Sequence, residues 1–328
     1  VGEDPTDPVF CISDLLIHLS AEQLGKPASK VIEGEMLDLI VGNRPLIWGQ
    51  NGEKPADTED DEPKEAVKAN VINILKDLYG IEEADLLSAE LEIVPAGPAR
   101  DMGFDRSMIL GYGHDDRSCS YPSLIAQLEC DAPARTSVTI LTDKEEIGSM
   151  GNTGLDSGYV YDYLCYLAQN KGADVKEVLA LAGFESPLSL RRCMANSYML
   201  SSDVSAGYDP NFAGSFEIKN SAIMGHGLAF NKFTGSGGKG GSNDADAEYV
   251  ALIRRIMDNA GVQFQTAELG RVDAGGGGTI AYMLAKYGMH VIDCGVPVLS
   301  MHAPWEIANK ADIYEAYRGY RAFLEFSE

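Results

Sequence analysis

Strands that alternate with helices from Ala99 onward place the strongest constraint on how this chain folds. Runs of β-branched and apolar residues predict strands at 136–141, 198–203 and 290–297. Periodic apolar positions predict helices over 119–128, 159–169, 175–181, 245–260, 273–287 and 311–326. Because strands joined through helices tend to run in the same direction, we expect an α/β fold. Its mixed, largely parallel central sheet should be flanked by helices on both faces.

The first 94 residues are organised differently. Apolar residues at helical spacing predict a helix over 66–79 that ends at Gly80. Residues 86–94 have the composition of a strand, and a turn rich in proline and glycine follows at 95–98. We therefore expect two domains, a smaller one over residues 1–94 and a larger one over residues 95–328.

The chain is strongly acidic, because its 26 basic and 50 acidic side chains give a formal net charge of −24 at pH 7. Nucleic acids and anionic membrane surfaces repel such a protein, so we expect neither as a partner. The six cysteines show no C-x-x-C spacing, and no apolar run is long enough to span a bilayer. These features predict a cytoplasmic protein with reduced thiols.

Carboxylates and one histidine follow the predicted strands. The adjacent Glu145 and Glu146 come after the strand at 136–141, and Asp203 ends the strand at 198–203. Asp115 and His302 also follow strand-like segments. Because reactive groups in α/β folds collect at the carboxyl ends of strands, these side chains are candidates for one site. Carboxylate oxygens and imidazole nitrogens are ligands that zinc and similar divalent cations accept.

Each of these residues also has an ordinary structural interpretation. The Glu145–Glu146 pair could belong to a solvated loop, and Asp115 could cap a helix. Asp203 could be a turn residue, and His302 could be a buried histidine with a backbone partner. The residue types and their spacing leave both interpretations open.

Other chemistries have less support. The glycine cluster at 235–240 has no Ser or Thr after its lysine, so it does not match the phosphate-loop pattern. The cluster at 275–278 lacks the G-x-G-x-x-G pattern of dinucleotide sites, and close approach of the backbone to a substrate is the simpler interpretation. The sequence contains no G-x-S-x-G elbow and no local signature of a catalytic cysteine.

Four ordered segments resemble a known family. The segment 143–149, Asp-Lys-Glu-Glu-Ile-Gly-Ser, resembles the D-x-E-E-I-G-S motif of the M18 metallopeptidases, the aspartyl and vacuolar aminopeptidase family. The segment 113–117 resembles that family's bridging-aspartate motif, and 201–205 with 210–211 is similar to its S-A-D-x-x-H-A-x-x-P-N motif. The segment 300–302 resembles its C-terminal histidine motif. The chain is accordingly similar to bacterial members of the family, whose larger domain has a zinc-peptidase-like fold.

The resemblance implies a metal-dependent aminopeptidase that removes N-terminal amino acids from peptides. It implies that Asp115 bridges two divalent metal ions. Zinc is the expected metal, and cobalt and manganese are alternatives. Glu146 and His302 would complete one metal site, and Asp203 would belong to the other. Glu145 would act as the general base.

The resemblance also implies an inserted dimerisation domain, which residues 1–94 match. The segment around His18 is similar to the one whose histidine enters the neighbouring subunit's site, so His18 is a catalytic candidate in trans. Family members form homo-oligomers in which dimers assemble, typically into dodecamers.

The sequence departs from the family pattern in two places. In the family, the first metal ligand lies in an H-x-D motif, and no residue before His18 supplies it. His114-x-Asp116 matches the motif but lies in the bridging-aspartate segment, so we do not assign it this role. We therefore expect this chain to lack the family's N-terminal portion. Ala206 and Asp209 stand where the family usually has histidines. Lys232, Lys239 and Arg271 are candidates for contacts to an acidic substrate residue.

Two alternative functions fit the same residues. The chain could be another metallohydrolase with two metal ions, such as an amidohydrolase. It could instead be a catalytically inactive subunit that serves assembly, because one metal ligand is missing.

Overall fold

The computed structural model describes residues 1–56, 59–61, 63–131, 133–159, 188–237, 240–273 and 275–327. The chain divides into two compact units, Val1–Gly97 and Pro98–Glu328. The boundary predicted from the sequence, between residues 94 and 95, lies close to this division. The proposed roles of the two domains stay predictions.

The first unit has little regular structure. A short antiparallel pair joins β1 (Cys11–Ile12) to β2 (Leu39–Ile40), and the helices are α1 (Ala21–Leu24) and α2 (Ala66–Tyr79). Helix α2 has the predicted bounds because Gly80 adopts a left-handed conformation and its N–H caps the last turn.

The strand predicted at 86–94 is wrong. A 3-10 turn covers Glu83–Leu87, and residues 88–94 belong to no strand. Leu91 and Ile93 are exposed. Strand composition alone does not form a strand, since the backbone also needs a neighbour to pair with.

The second unit contains two sheets. The first has the order β3-β4-β11-β10-β6, and its strands are β3 (Arg100–Met102), β4 (Met108–Gly111), β6 (Ser205–Ala206), β10 (Pro297–Leu299) and β11 (Glu306–Asn309). The second has the order β5-β9-β7-β8, and its strands are β5 (Tyr198–Ser202), β7 (Leu228–Asn231), β8 (Phe264–Thr266) and β9 (His290–Gly295).

The second unit has two mixed sheets where the sequence predicts one central sheet, and the described strands are not largely parallel. Pairs β5–β9, β7–β8 and β6–β10 are parallel, whereas β3–β4, β4–β11, β10–β11 and β7–β9 are antiparallel. Short connections rather than crossover helices account for two of the antiparallel pairs, because they join β3 to β4 and β10 to β11. Pairs β4–β11 and β7–β9 join strands that are far apart in the sequence, and a local pattern does not predict their direction.

The strand predicted at 136–141 is also not observed. These residues are assigned to no strand, and Val138, Ile140 and Leu141 are 43%, 40% and 55% exposed. The β-branched composition predicts a buried strand, but among the residues that the structure describes no strand pairs its backbone with residues 136–141.

The remaining helices of the second unit are α3 (His114–Leu128), α4 (Leu188–Ala195), α5 (Ala247–Ala260), α6 (Ala281–Ala285) and α7 (Lys310–Glu325). The helices predicted at 119–128, 245–260 and 311–326 are confirmed. The helix predicted at 273–287 is limited to α6. Predicted helices at 159–169 and 175–181 lie outside the described residues, apart from Tyr159.

Helices α3, α5 and α7 supply the core together with the second sheet. The largest fully buried side chains include Tyr249, Ile253, Met257 and Ile292. Because successive strand residues face opposite sides, Ile292 packs into this core and Asp293 lines a cavity, whereas Cys294 contacts both. The core therefore fixes the positions of β5 and β9. Asp203 directly follows β5, and Asp293 lies within β9.

No helix in the described part of the chain has the length and apolar character that a membrane crossing requires.

Gly295 gives the first test of this packing. A Cβ at this position would lie 1.3 Å from the Asp203 carbonyl oxygen, so Gly295→Ala must displace the end of β5. We expect a loss of about 2 kcal/mol or more in the free energy of unfolding, measured by urea denaturation. Gly214→Ala is the control, since a Cβ there meets no atom within 4 Å. Equal denaturation midpoints for the two variants would contradict this packing.

Candidate metal centre

The predicted metal ligands and general base of the second unit all line one cavity of about 510 Å³, namely Asp115, Glu145, Glu146, Asp203 and His302. Asp115 is the second residue of α3, shortly after β4, and Asp203 follows β5 directly. His302 lies in the turn between β10 and β11, and the two glutamates lie in a 3-10 turn, Glu145–Ile147. Strand ends and tight turns therefore bring together residues that are far apart in the sequence.

The backbone beside this cavity is unusual. Lys144, Ser149, Ser300 and His302 have φ angles of 63°, 56°, 57° and 66°, in the left-handed region that residues other than glycine rarely adopt. Such conformations cluster at functional sites, where the surrounding structure holds them in place. Here they flank both the glutamate pair and the histidine.

His302 is at the centre of a compact donor cluster. Its Nε2 atom lies 3.0 Å from Asp115 Oδ2 and 2.9 Å from Glu146 Oε1. One donor atom from each of the three side chains lies within 4.8 Å of the other two. The Asp115 side chain is 10% exposed, whereas those of Glu146 and His302 are 61% and 62% exposed. The cluster thus has one buried carboxylate and an open side that solvent reaches.

The electrostatics of the cavity also fit a cation. Burial, followed by the charge of Glu146, raises the pKa of Asp115 to about 7. Burial also raises the pKa of Glu145, to which the charges of Glu146 and Asp116 contribute. The pKa of Asp203 is raised by burial and then by the charges of Asp115 and Glu145. A divalent cation would offset this mutual repulsion, so the donors and their charges fit zinc.

Asp203 and His114 occupy different environments. Asp203 lines the cavity but is not one of the three donors within 4.8 Å, and its Oδ1 accepts a hydrogen bond from the Val204 N–H at 2.6 Å. The charge of Asp115 helps to raise its pKa, so the two carboxylates are near one another. The His114 Nε2 atom lies 3.2 Å from the Ile109 carbonyl oxygen. His114 is therefore engaged with the backbone, and it is not one of the three clustered donors.

His18 belongs to the first unit. It is exposed in a 3-10 turn, Ile17–Leu19. Its role in a neighbouring subunit stays a prediction.

The basic residues predicted to contact an acidic substrate residue make other contacts in the structure. The Lys232 ammonium pairs with Asp244 at 2.6 Å, and Arg271 Nε donates to the Phe216 carbonyl oxygen at 3.3 Å. Neither residue is among those that line the cavity in the described part of the chain, and Lys239 lies outside that part. The observed wall instead includes Gly275–Gly278.

The two glycine clusters pack against each other. The Gly235 N–H donates to the Gly277 carbonyl oxygen at 2.9 Å, and the Gly237 N–H donates to that of Gly275 at 3.3 Å. A Cβ on Gly276 would lie 1.9 Å from the Gly235 carbonyl oxygen. The glycines are thus explained by close backbone packing beside the cavity.

Sequence reasoning missed three buried polar residues of this region: Glu306, Asp293 and Ser201. Among the described residues, no atom meets the distance and angle of a hydrogen bond to Asp293 Oδ1 or to Ser201 Oγ. Both residues line the cavity. The signal available in the sequence was an acid within an apolar strand, as in Val291-Ile292-Asp293-Cys294.

An α/β fold that gathers histidine and carboxylates at its strand ends is typical of metal-dependent hydrolases. The family model described as aminopeptidase I zinc metalloprotease (M18) matches residues 2–324. The chain belongs to the M18 family.

Relatives and solved structures agree with this assignment. A Clostridium acetobutylicum protein named "Probable M18 family aminopeptidase 1" is 55% identical over 324 residues, which cover 99% of this chain and 65% of that protein. The crystal structure of aminopeptidase I from Clostridium acetobutylicum matches with a TM-score of 0.84 and 52% identity, over 99% of this chain and 65% of that one.

The crystal structure of the M18 aminopeptidase from Thermotoga maritima matches with a TM-score of 0.85 and 41% identity, over 99% of this chain and 66% of that one. These similarities confirm the α/β fold expected from the sequence. The chain spans slightly less than two thirds of the length of these relatives, 65% and 66%.

The buried Asp293 carboxyl allows the electrostatics of the cavity to be tested. Burial raises its pKa to about 6, although hydroxyl groups such as that of Thr234 counteract this shift. Because the folded state then favours the protonated form, its contribution to stability is present below pH 4 and is lost as the pH rises through 6. Asp293→Asn removes this penalty, so we expect it to be more stable than the wild type by about 1–3 kcal/mol at pH 8.

The gain should shrink as the pH falls towards 5, which urea denaturation at several pH values can follow. Asp258→Asn, at an exposed position of α5, is the matched control. A difference between Asp293→Asn and the wild type that does not vary with pH would contradict the raised pKa.

Proposed function

We propose that this chain carries the catalytic site of a metal-dependent aminopeptidase that removes N-terminal amino acids from peptides. The observation that carries the proposal is the cluster of Asp115, Glu146 and His302 within 4.8 Å, in a chain of the M18 family. Glu145 lines the same cavity, so a proton-transferring group lies beside the metal donors.

The proposed centre holds two divalent ions, with zinc as the first choice. Asp115 would bridge them because it is the buried member of the cluster and lies near Asp203. Glu146 and His302 would complete one site, and Asp203 would belong to the other. When bound, such ions polarise the scissile carbonyl and lower the pKa of the attacking water.

Glu145 is the proposed general base. Its carboxylate would accept a proton from the attacking water and then pass it to the amine of the leaving peptide. Burial and the neighbouring carboxylates raise its pKa, which brings its proton affinity closer to that required near neutral pH. The acidic cavity also suits a substrate whose free α-amino group is positively charged, and this limits cleavage to the first residue.

The first unit, residues 1–94 in the sequence-based division, is proposed to mediate dimerisation. Leu16, Ile17 and Leu19 are 58%, 62% and 69% exposed around His18. Apolar side chains at this exposure are suited to contact with a second copy of the chain. In such a dimer His18 would reach the neighbouring site and stabilise the reaction intermediate, and dimers would assemble further, with a dodecamer as the expected size.

Replacing Glu145 tests the proposed base. Glu145→Gln keeps the size of the side chain but cannot accept the proton, so we expect kcat on unblocked aminoacyl substrates to fall by about 10²- to 10⁴-fold. Metal content and oligomer size should not change. Glu248→Gln, at an exposed position of α5, should retain full activity.

Turnover by Glu145→Gln at the wild-type rate would remove Glu145 from the mechanism. A wild-type protein that is inactive on every peptide would favour an assembly subunit, whereas turnover of acylated substrates alone would favour an amidohydrolase.

Metal content tests the proposed centre independently of activity. We expect about two divalent ions per chain when protein purified without chelators is analysed by inductively coupled plasma mass spectrometry. Asp203→Asn should lower this number towards one, because Asp203 is assigned to only one of the two ions. Absence of metal after incubation with zinc or cobalt would refute the metal centre.

A further inference from the structure

Glu306 is a buried acid at the first position of β11. The residue is 2% exposed, and it pairs with Gly111 of β4 in the sheet. Burying a carboxylate is costly unless hydrogen bonds or charges compensate. Among the ion pairs found within the described residues, none involves Glu306. Its compensation must therefore come from hydrogen bonds.

Those hydrogen bonds lead directly to the donor cluster. Glu306 Oε2 accepts from the backbone N–H of Asp115 at 2.9 Å, and Oε1 accepts from the backbone N–H of His302 at 2.8 Å. One carboxylate thus ties together the backbones of two cluster residues that belong to separate parts of the chain. The Asp115 and His302 side chains meet at 3.0 Å on this common support.

Apart from its contacts to Asp115 and Glu146, the His302 imidazole has little support. Its side chain is 62% exposed, so packing does little to fix the ring. Its backbone has a φ angle of 66°, a conformation that persists in a non-glycine residue only when surrounding contacts hold it. The hydrogen bond to Glu306 is a contact of that kind.

We propose that Glu306 is a positioning residue that sets the distance between Asp115 and His302 and so preforms the site for a divalent cation. This inference rests on the proposed metal function of the cluster. Glu306 would not itself bind the metal ion, because it is not one of the three donors within 4.8 Å and is not among the described residues that line the cavity. It acts through the two residues that would.

The chain offers a matched control in Asp312. This residue is fully buried, and its carboxylate accepts hydrogen bonds from the backbone N–H groups of Gly225 and Gly227, both at 2.7 Å. Glu306→Gln and Asp312→Asn each replace one acceptor oxygen with an NH₂ group that cannot accept. Both variants should lower stability, but only Glu306→Gln alters the backbone beneath the cluster.

The experiment measures zinc affinity on metal-free protein by competition with a chromogenic chelator. The visible absorption spectrum of the cobalt-loaded protein is recorded in parallel. Glu306→Gln should bind zinc about 10- to 100-fold more weakly than the wild type and give a changed cobalt spectrum. Asp312→Asn should match the wild type in both measurements. Circular dichroism confirms that each variant is folded at the temperature used.

An affinity and a spectrum for Glu306→Gln equal to those of the wild type would overturn the inference, and so would an equal loss in Asp312→Asn. A wild type that binds neither ion would refute the proposed metal centre itself. If Glu306→Gln does not fold, hydrogen exchange of the metal-free wild type decides. Slow exchange of the Asp115 and His302 amides supports a preformed site, and fast exchange of either contradicts it.

Discussion

Repulsion among the carboxylates of the cavity is the interaction on which the site depends. Asp115, Glu146 and Asp203 crowd one half-buried space, and burial together with like charge raises the pKa of Asp115 and Asp203. Such an arrangement opposes folding when all members are ionised. A bound divalent cation would turn this electrostatic repulsion into net attraction. Metal binding and the local stability of the strand ends should therefore be thermodynamically linked.

The fold holds these charges together through the backbone. Asp203 follows a strand whose position is set by the core, and its N–H donates to the Cys294 carbonyl oxygen at 3.0 Å. Gly295 allows the two strand ends to approach closely there. Asp115 and His302 share the carboxylate of Glu306. Backbone hydrogen bonds therefore supply the geometry that the repelling side chains do not supply themselves.

Asp115, Asp203 and His302 can be predicted from the sequence because each follows a segment that forms a strand. The strand predicted before Glu145 and Glu146 is not observed, so the family motif at 143–149 is what identifies them. The sequence did not reveal Glu306 or Asp293, whose importance depends on contacts between distant segments. The predicted strand at 136–141 failed for a related reason, since composition indicates the capacity to form a strand but not the presence of a neighbour. The sequence overestimates parallel pairing because two connections are short links rather than helices, and because two further antiparallel pairs join strands that are far apart in the sequence.

The adjacent glutamates show how one short turn supplies two different chemical environments. In a 3-10 turn consecutive side chains point about 120° apart, so neighbours in sequence need not share partners. Glu146 reaches the imidazole of His302 at 2.9 Å on the open side of the cluster. Glu145 is more buried, and its charge acts on Asp203. The geometry of the turn thus supports the proposed division between a metal ligand and a proton carrier.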